Sequence, residues 1–241
     1  GHPKRSPRRE TEANPLLDSM VSNTISVLQK YWQVFLLKGV GYTLQLTLIA
    51  VIFGVLFGAL VTMLRRSRIA PLRWVASVYV EVIRGTPILL QLYFFYLMIP
   101  QWFSVLNLSK FTCVALALSF NSAAYVSEVI RSGIQAVDRG QTEAARSLGL
   151  NARQTMLRVV MPQAVKNILP ALGNEFVMML KETSLASTFL IGDLMTSFKT
   201  VSGATYLVLE PLIVVGFLYF VMTFCVSKLV GGFERRMAKH D

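Results

Sequence analysis

Charge is what this chain has little of. Asp, Glu, Lys and Arg make up 15% of its 241 residues, against roughly 25% in soluble domains. With 54% hydrophobic residues and a mean hydropathy of +0.52, that deficit excludes an ordinary water-soluble domain and makes lipid the solvent for most side chains. Cysteine is equally scarce: Cys113 and Cys225 both fall inside apolar runs, where they read as small hydrophobes and not as a disulfide framework or a metal set. His2 and His240 lie in the tails, and no His-Glu-x-x-His or Gly-x-Ser-x-Gly occurs, so zinc and serine-nucleophile chemistry have no centre and no catalytic or metal residue is expected. The Gly-x-x-x-x-Gly-Lys-Ser/Thr phosphate loop is missing too, which excludes ATP hydrolysis by this chain itself. Acidic residues are the minority sign: 24 Lys and Arg against 13 Asp and Glu leave a net charge of +11. The cations gather in short links without an aromatic platform, so nucleic acid is not the expected partner.

What is present is a series of apolar runs. A membrane helix needs about 20 mainly apolar residues, and five runs qualify, approximately 41–64, 74–99, 110–131, 168–190 and 206–230. The links after the first and third, and the C-terminal tail, hold most of the Arg and Lys, whereas Pro100–Ser109 carries no charge. By the positive-inside rule those basic segments face the cytoplasm, the C-terminus is inside and the N-terminus outside. The chain is expected to be an all-α membrane protein of about five transmembrane helices. Residues 1–23 read as an unstructured tail, 24–37 as an interfacial helix with Ile25, Leu28, Trp32 and Phe35 at helical spacing, 38–233 as the membrane domain, and 234–241 as a cytoplasmic tail.

Within the membrane domain the ionisable and helix-breaking residues draw attention, because a charge at a helix centre costs about 2.5–3.5 kcal/mol even on lenient scales. Arg84 lies near the expected mid-depth of the second run, followed by Gly85-Thr86-Pro87. Pro87 has no N–H for the carbonyl of Ile83, so the helix should bend or unwind there and free backbone groups for a polar solute. The plainer reading is a kink with Glu81 and Arg84 paired at i, i+3. Glu175, Met178, Met179 and Glu182 share one helical face in the fourth run, which should line an interface or an aqueous cavity. Asn121 and Tyr125, one turn apart, either add polar contacts to a solute or hydrogen-bond between helices. Glu210-Pro211 reads as an interfacial kink. Residues 132–167 are too polar for lipid; Gly149 suits a helix C-cap, and a second short helix near 153–161 should stop at Pro162.

That polar stretch contains Glu143-Ala144-Ala145-Arg146-Ser147-Leu148-Gly149 and runs on to Val159-Val160-Met161-Pro162. It resembles the EAA loop of ABC-importer permeases. Beyond it, Gly41-Tyr42-Thr43-Leu44, Ile83-Arg84-Gly85-Thr86-Pro87, Ser122-Ala123-Ala124-Tyr125, Leu169-Pro170-Ala171-Leu172-Gly173-Asn174-Glu175-Phe176 and Lys181-Glu182-Thr183-Ser184-Leu185 are similar to permeases for polar amino acids. The resemblance implies a type I importer fold in a prokaryotic inner or plasma membrane. It implies that Glu143, Ala144, Ala145 and Gly149 engage a separate ABC ATPase dimer, which holds the ATP and Mg while this chain binds no cofactor. A second permease subunit, an extracytoplasmic solute-binding protein and membrane lipid complete the implied partners. It further implies that Glu175 helps hold the amino acid, with Asn174, Met178, Asn121, Tyr125 and the Arg84-Gly85-Thr86-Pro87 break around the path. The rival reading is an ion-coupled secondary carrier built on the same buried Glu and Lys.

Overall fold

The structure, a computed structural model, describes residues 15–237 apart from 104 and 106. Every regular element among them is helical. Helix α1 (Pro15–Trp32) widens into a π-helical stretch (Gln33–Val40) and continues as α2 (Gly41–Arg65); α3 (Ala70–Gly85) and α4 (Ile88–Trp102) follow, then α5 (Lys110–Gln135). The loop region holds α6 (Arg139–Ser147) and α7 (Ala152–Thr155), a π-helical turn (Met156–Val160) and α8 (Met161–Glu182). A 3-10 segment (Thr183–Phe189) leads to α9 (Leu194–Thr205) and α10 (Leu209–Met237).

Small residues set the centre of the bundle. Without a hydrophobic drive between helices in lipid, close backbone approach supplies the packing. On α2, Ala50, Gly54, Gly58 and Thr62 recur every fourth residue and are buried against α5. A Cβ at Gly54 would lie 2.7 Å from the Cβ of Ser122, and one at Gly58 2.7 Å from Cγ1 of Val126. Thr62 Oγ1 donates to the carbonyls of Gly58 (2.9 Å) and Ser127 (3.2 Å), tying the two helices at that end. Leu46, Leu92, Val114, Leu118 and Met179 complete this core from α2, α4, α5 and α8. A second core joins Val27 and Phe35 to Leu194, Val201, Val214 and Val215.

Several expectations change here. Residues 15–23, assigned to the tail, are helical: Pro15 opens α1, and Val27 and Phe35 pack into the second core. A first-turn proline is a favourable helix start because its missing N–H is unpaired anyway. The stretch 24–37 does not stand as a helix of its own: α1 bends inside it at Tyr31 (φ −115°, ψ 17°), and helical structure runs from Leu16 on to Arg65. Residues 1–14 lie outside the described part. Among the described residues three helices are long and apolar enough to cross a membrane (Leu16–Arg65, Lys110–Gln135 and Leu209–Phe233), or four with the bent pair Ala70–Gly85 and Ile88–Trp102. The fourth expected run belongs to α8, which carries Lys166, Glu175, Lys181 and Glu182 and is not among those helices.

Pro162 does not stop the second loop helix. The preceding π-helical turn lets Met161 N–H reach the carbonyl of Met156, five residues back. That wider turn accommodates the ring, and Pro162 falls in the first turn of α8. Likewise Glu210-Pro211 lies in the first turn of α10 and not at a kink; Glu210 is buried and accepts from Asn23 Nδ2 at 3.4 Å. Helix α9 stands where a link was expected. Asp193 caps it, accepting from Met195 N–H (3.0 Å) and from Thr196 Oγ1 (2.5 Å). Ser197 Oγ donates to the carbonyl of Val34 (3.0 Å), which seats α9 on the π-helical stretch of the first run.

Candidate functional site

The break between α3 and α4 follows from Pro87. The two helices meet at 112°, with Thr86 and Pro87 extended between them. Pro87 cannot satisfy the Ile83 carbonyl, so another donor must. Gln91 supplies it: Nε2 donates to Ile83 O (2.8 Å), Thr86 O (3.1 Å) and Thr86 Oγ1 (3.0 Å). Its Oε1 accepts from Asn121 Nδ2 at 2.9 Å. Thr86 Oγ1 also bonds the Val82 carbonyl (2.8 Å), closing the last turn of α3.

This joint seats on one face of α5. Asn121, Tyr125 and Glu128 stand at i, i+4 and i+7. Asn121 takes Gln91; Arg84 lies over the Tyr125 ring, 5.7 Å from its centroid, and its Nη1 is 3.6 Å from Glu128 Oε2. Glu128 also pairs with Arg65 and, at 2.5 Å, with Arg131. The Glu81–Arg84 pair is not formed; Glu81 is exposed, and Arg84 has chosen the α5 carboxylate. Arg84 stands level with Arg65, the last residue of α2, because both reach Glu128. Sixteen residues of helix span about 24 Å, so α3 must run across α2 and α5 and cannot rise beside them.

Glu175 sits elsewhere. Its side chain is buried on the inner side of α8 at 6% exposure, and Ser122 Oγ donates to Oε1 at 3.3 Å. A carboxylate offers about four lone-pair positions, so one hydrogen bond leaves most of its acceptor capacity for something else. Met179 is buried beside it, while Asn174 and Met178 are exposed and Glu182 is half-buried. The single face expected for Glu175, Met178, Met179 and Glu182 is therefore divided between the protomer interior and its surface. Arg84 and Glu175 are not brought together: their α5 partners, Glu128 and Ser122, are six residues or about 9 Å of helix apart. Gln91 and Glu175 meet α5 at the same level but on different sides, through the consecutive residues Asn121 and Ser122, about 100° apart around the helix. Gln91, Ser122 and Glu128 were missed as position-setting residues. Their signals were present: Gln91 one turn beyond Pro87, and Glu128 on the Asn121 and Tyr125 face.

The polar loop is a capped helical hairpin. Asp138 accepts from Gly140 N–H (2.7 Å) to start α6. At its end Leu150 N–H reaches Ala145 O (3.2 Å) and Gly149 N–H reaches Arg146 O (3.0 Å). With Gly149 at φ +86°, this is the Schellman pattern, which a Cβ would strain. Asn151 and Gln154 form a reciprocal capping box that starts α7. Ala145 is buried and anchors the hairpin, whereas Glu143, Ala144 and Leu148 are exposed on it. Val137, Val160, Ala164 and Ile168 form the small core beneath. The loop is thus a capped hairpin anchored through Ala145 and the small core, with Glu143, Ala144 and Leu148 on its exposed side.

Residues 50–239, nearly the whole membrane region, match the family described as binding-protein-dependent transport system inner membrane component. The chain belongs to that family. Among similar proteins, the arginine transport system permease protein ArtQ of Bacillus subtilis is 38% identical over 86% of this chain and 94% of the relative. The L-cystine transport system permease protein TcyB of the same organism is 38% identical over 89% and 91%. The glutamate/aspartate import permease protein GltK of Escherichia coli O157:H7 is 35% identical over 85% and 94%. A chain in the crystal structure of an amino acid ABC transporter with histidines superposes with a TM-score of 0.82 at 48% identity, covering 87% of this permease and 96% of that chain. A chain of the MetNI methionine ABC transporter in an inward-facing conformation gives 0.59 at 20% identity, over 82% and 95%, and shares the fold. This permease is an all-α membrane protein of the type I importer fold, the membrane subunit of an ABC importer.

Proposed function

We propose that this permease forms the translocation path of an ATP-driven importer of polar amino acids and is driven through its 132–167 loop. The observation that carries the reading is the loop itself: an exposed Glu143-Ala144 crest, a Gly149-capped end and a buried anchor at Ala145. Two ATPase subunits, which bind the ATP and Mg, dock on the crests of two permease subunits. Their closure draws the hairpins together, and the rigid links to α5 and α8 rotate the helices around Ser122 and Glu175. The path opens outward to a solute-binding protein, and hydrolysis resets it inward. In this scheme the chain crosses a prokaryotic inner or plasma membrane with about five spans, N-terminus outside and C-terminus inside. The 38–233 membrane domain and the cytoplasmic 234–241 segment keep the roles read from sequence.

The substrate class follows from what the relatives share. Their names span cationic, neutral and acidic amino acids, so a fixed side-chain charge is not the common element; the α-ammonium and α-carboxylate are. Glu175, buried with one hydroxyl donor, suits the ammonium. Asn174 and Met178 on the neighbouring face of α8, and the Arg84-Gly85-Thr86-Pro87 joint with Asn121 and Tyr125, shape the path around it.

Three variants test this reading. Gly149→Trp, or Glu143→Lys, should abolish ATPase-dependent uptake in vesicles while the chain stays inserted. Uptake that follows a cation gradient and persists without the ATPase would instead identify a secondary carrier. Glu175→Ala should lose transport of every amino acid tested, and unchanged transport would remove the site.

A further inference from the structure

Behind the coupling hairpin, away from the Ala144 and Leu148 crest, lies an open cleft of about 980 Å³. Arg66 from the end of α2, Arg139 and Arg146 from α6, and Arg153 from α7 all line it. Among the described residues none of these four is ion-paired; every salt bridge goes to Glu128, which already serves Arg65, Arg84 and Arg131. Thr155 lines the same cleft. It is 3% exposed, and its hydroxyl is fully buried without a hydrogen-bond partner. A buried orphan hydroxyl is uncommon in a folded protein and asks for a partner. Arg146 spends one N–H on the Leu150 carbonyl (3.1 Å); its remaining donors, the other three guanidinium groups and the unpaired hydroxyl suit the same kind of partner, an anion rich in acceptor oxygens, which arginine forks bind two at a time.

The setting narrows the anion. Arg66 caps α2, and Gln135 is the last residue of α5, so the cleft opens where two membrane helices end. A second basic cavity of about 270 Å³ shares Arg66 and Gln135 and adds Arg65, Arg73 and Arg131. At the same α2–α3 corner lies an apolar cleft of about 460 Å³ lined by Leu60, Leu64, Leu72 and Val75, with room for an acyl chain. Basic pockets at helix ends are where acidic headgroups bind.

We infer that the cleft behind the coupling hairpin binds the phosphate of an acidic phospholipid headgroup. The phosphate spans Arg66 on α2, Arg139 and Arg146 on α6, and Arg153 on α7, and a rotation of the Thr155 side chain turns its buried hydroxyl into the cleft to donate. It thereby braces the hairpin against the ends of the membrane helices, and the stiffness of the lever depends on lipid composition. The assignment to the cytoplasmic leaflet rests on the topology proposed above; the anion chemistry does not.

The test uses the whole transporter in nanodiscs of phosphatidylcholine, with or without phosphatidylglycerol. The readout is the rate at which phenylglyoxal modifies Arg153, followed by peptide mass spectrometry, and it needs no transport assay. Phosphatidylglycerol should slow modification, and Arg139→Gln or Thr155→Val should each reduce that protection about five-fold. Arg139 is exposed, so its loss does not threaten folding. If neither phosphatidylglycerol nor inorganic phosphate protects Arg153, the cleft is not an anion site. Equal protection by millimolar inorganic phosphate in phosphatidylcholine discs would overturn the lipid source in favour of a soluble anion. Full protection in phosphatidylcholine alone, lost when the ATPase is stripped, would mean that an acidic face of the ATPase fills the cleft.

Discussion

Replacing Gln91 by Leu isolates the device that holds the broken helix. The side chain is 7% exposed, donates to Ile83 O, Thr86 O and Thr86 Oγ1, and accepts from Asn121. Leucine keeps much of the volume and removes all four bonds. Thr86 Oγ1 retains Val82 O, but three groups are stranded: the Ile83 carbonyl, which Pro87 cannot serve, the Thr86 carbonyl, and the Asn121 amide, on a side chain only 4% exposed. A buried group left without a partner costs about 1–3 kcal/mol; Ile83 and Thr86 are only half-buried, so water offsets part of their share and the expected loss is about 2–6 kcal/mol. Reversible unfolding in mixed detergent micelles, followed by tryptophan fluorescence, measures it. Adding Asn121→Leu removes one stranded group and should restore about 1–3 kcal/mol, a negative coupling in the double-mutant cycle. A loss below about 0.5 kcal/mol, or strictly additive costs, would refute the accounting.

The other predictions concern packing and charge. Gly54→Ala should cost about 1–3 kcal/mol, because its Cβ would sit 2.7 Å from that of Ser122 and force α2 from α5. Gly41→Ala, with nothing within 4 Å, should be neutral or stabilising in the same unfolding assay, and equal costs at the two sites would contradict the close-approach argument. Glu128→Gln removes the charge shared by Arg65, Arg84 and Arg131. Because Arg84 and Arg131 are nearly half exposed, the expected loss is only about 1–2 kcal/mol. Removing Arg84 as well (Arg84→Met) should recover part of it; no recovery would mean that Arg84 is held by Tyr125 alone.

Local rules carried where the deciding atoms are neighbours in sequence. Pro87 breaks the helix because it lacks an N–H that Ile83 needs, and Gly149 ends α6 because only a residue tolerant of positive φ closes that cap. The same kind of reasoning failed at Pro162, where a π-helical turn just upstream absorbs the ring and the helix runs on. It failed at Asp193–Thr205 because a Ser- and Thr-rich stretch resembles a link until Thr43 and Val34 are known to receive it: Thr43 Oγ1 takes the Leu194 N–H and the Val34 carbonyl takes Ser197. Residues 15–23 were lost to the composition of the segment before them.

The amino-acid sequence alone determined the solvent, the family resemblance, the broken second run and the capped loop, since each depends on composition or on residues within a turn or two. Which carboxylate each arginine takes was decided only by the tertiary structure. Glu81 is the near neighbour of Arg84, yet α3 crosses the bundle and brings Arg84 to Glu128, while Glu175 turns inward to Ser122. Pairing of these charges is set by which helices the fold brings side by side, and contacts between distant helices leave no spacing in the chain to read.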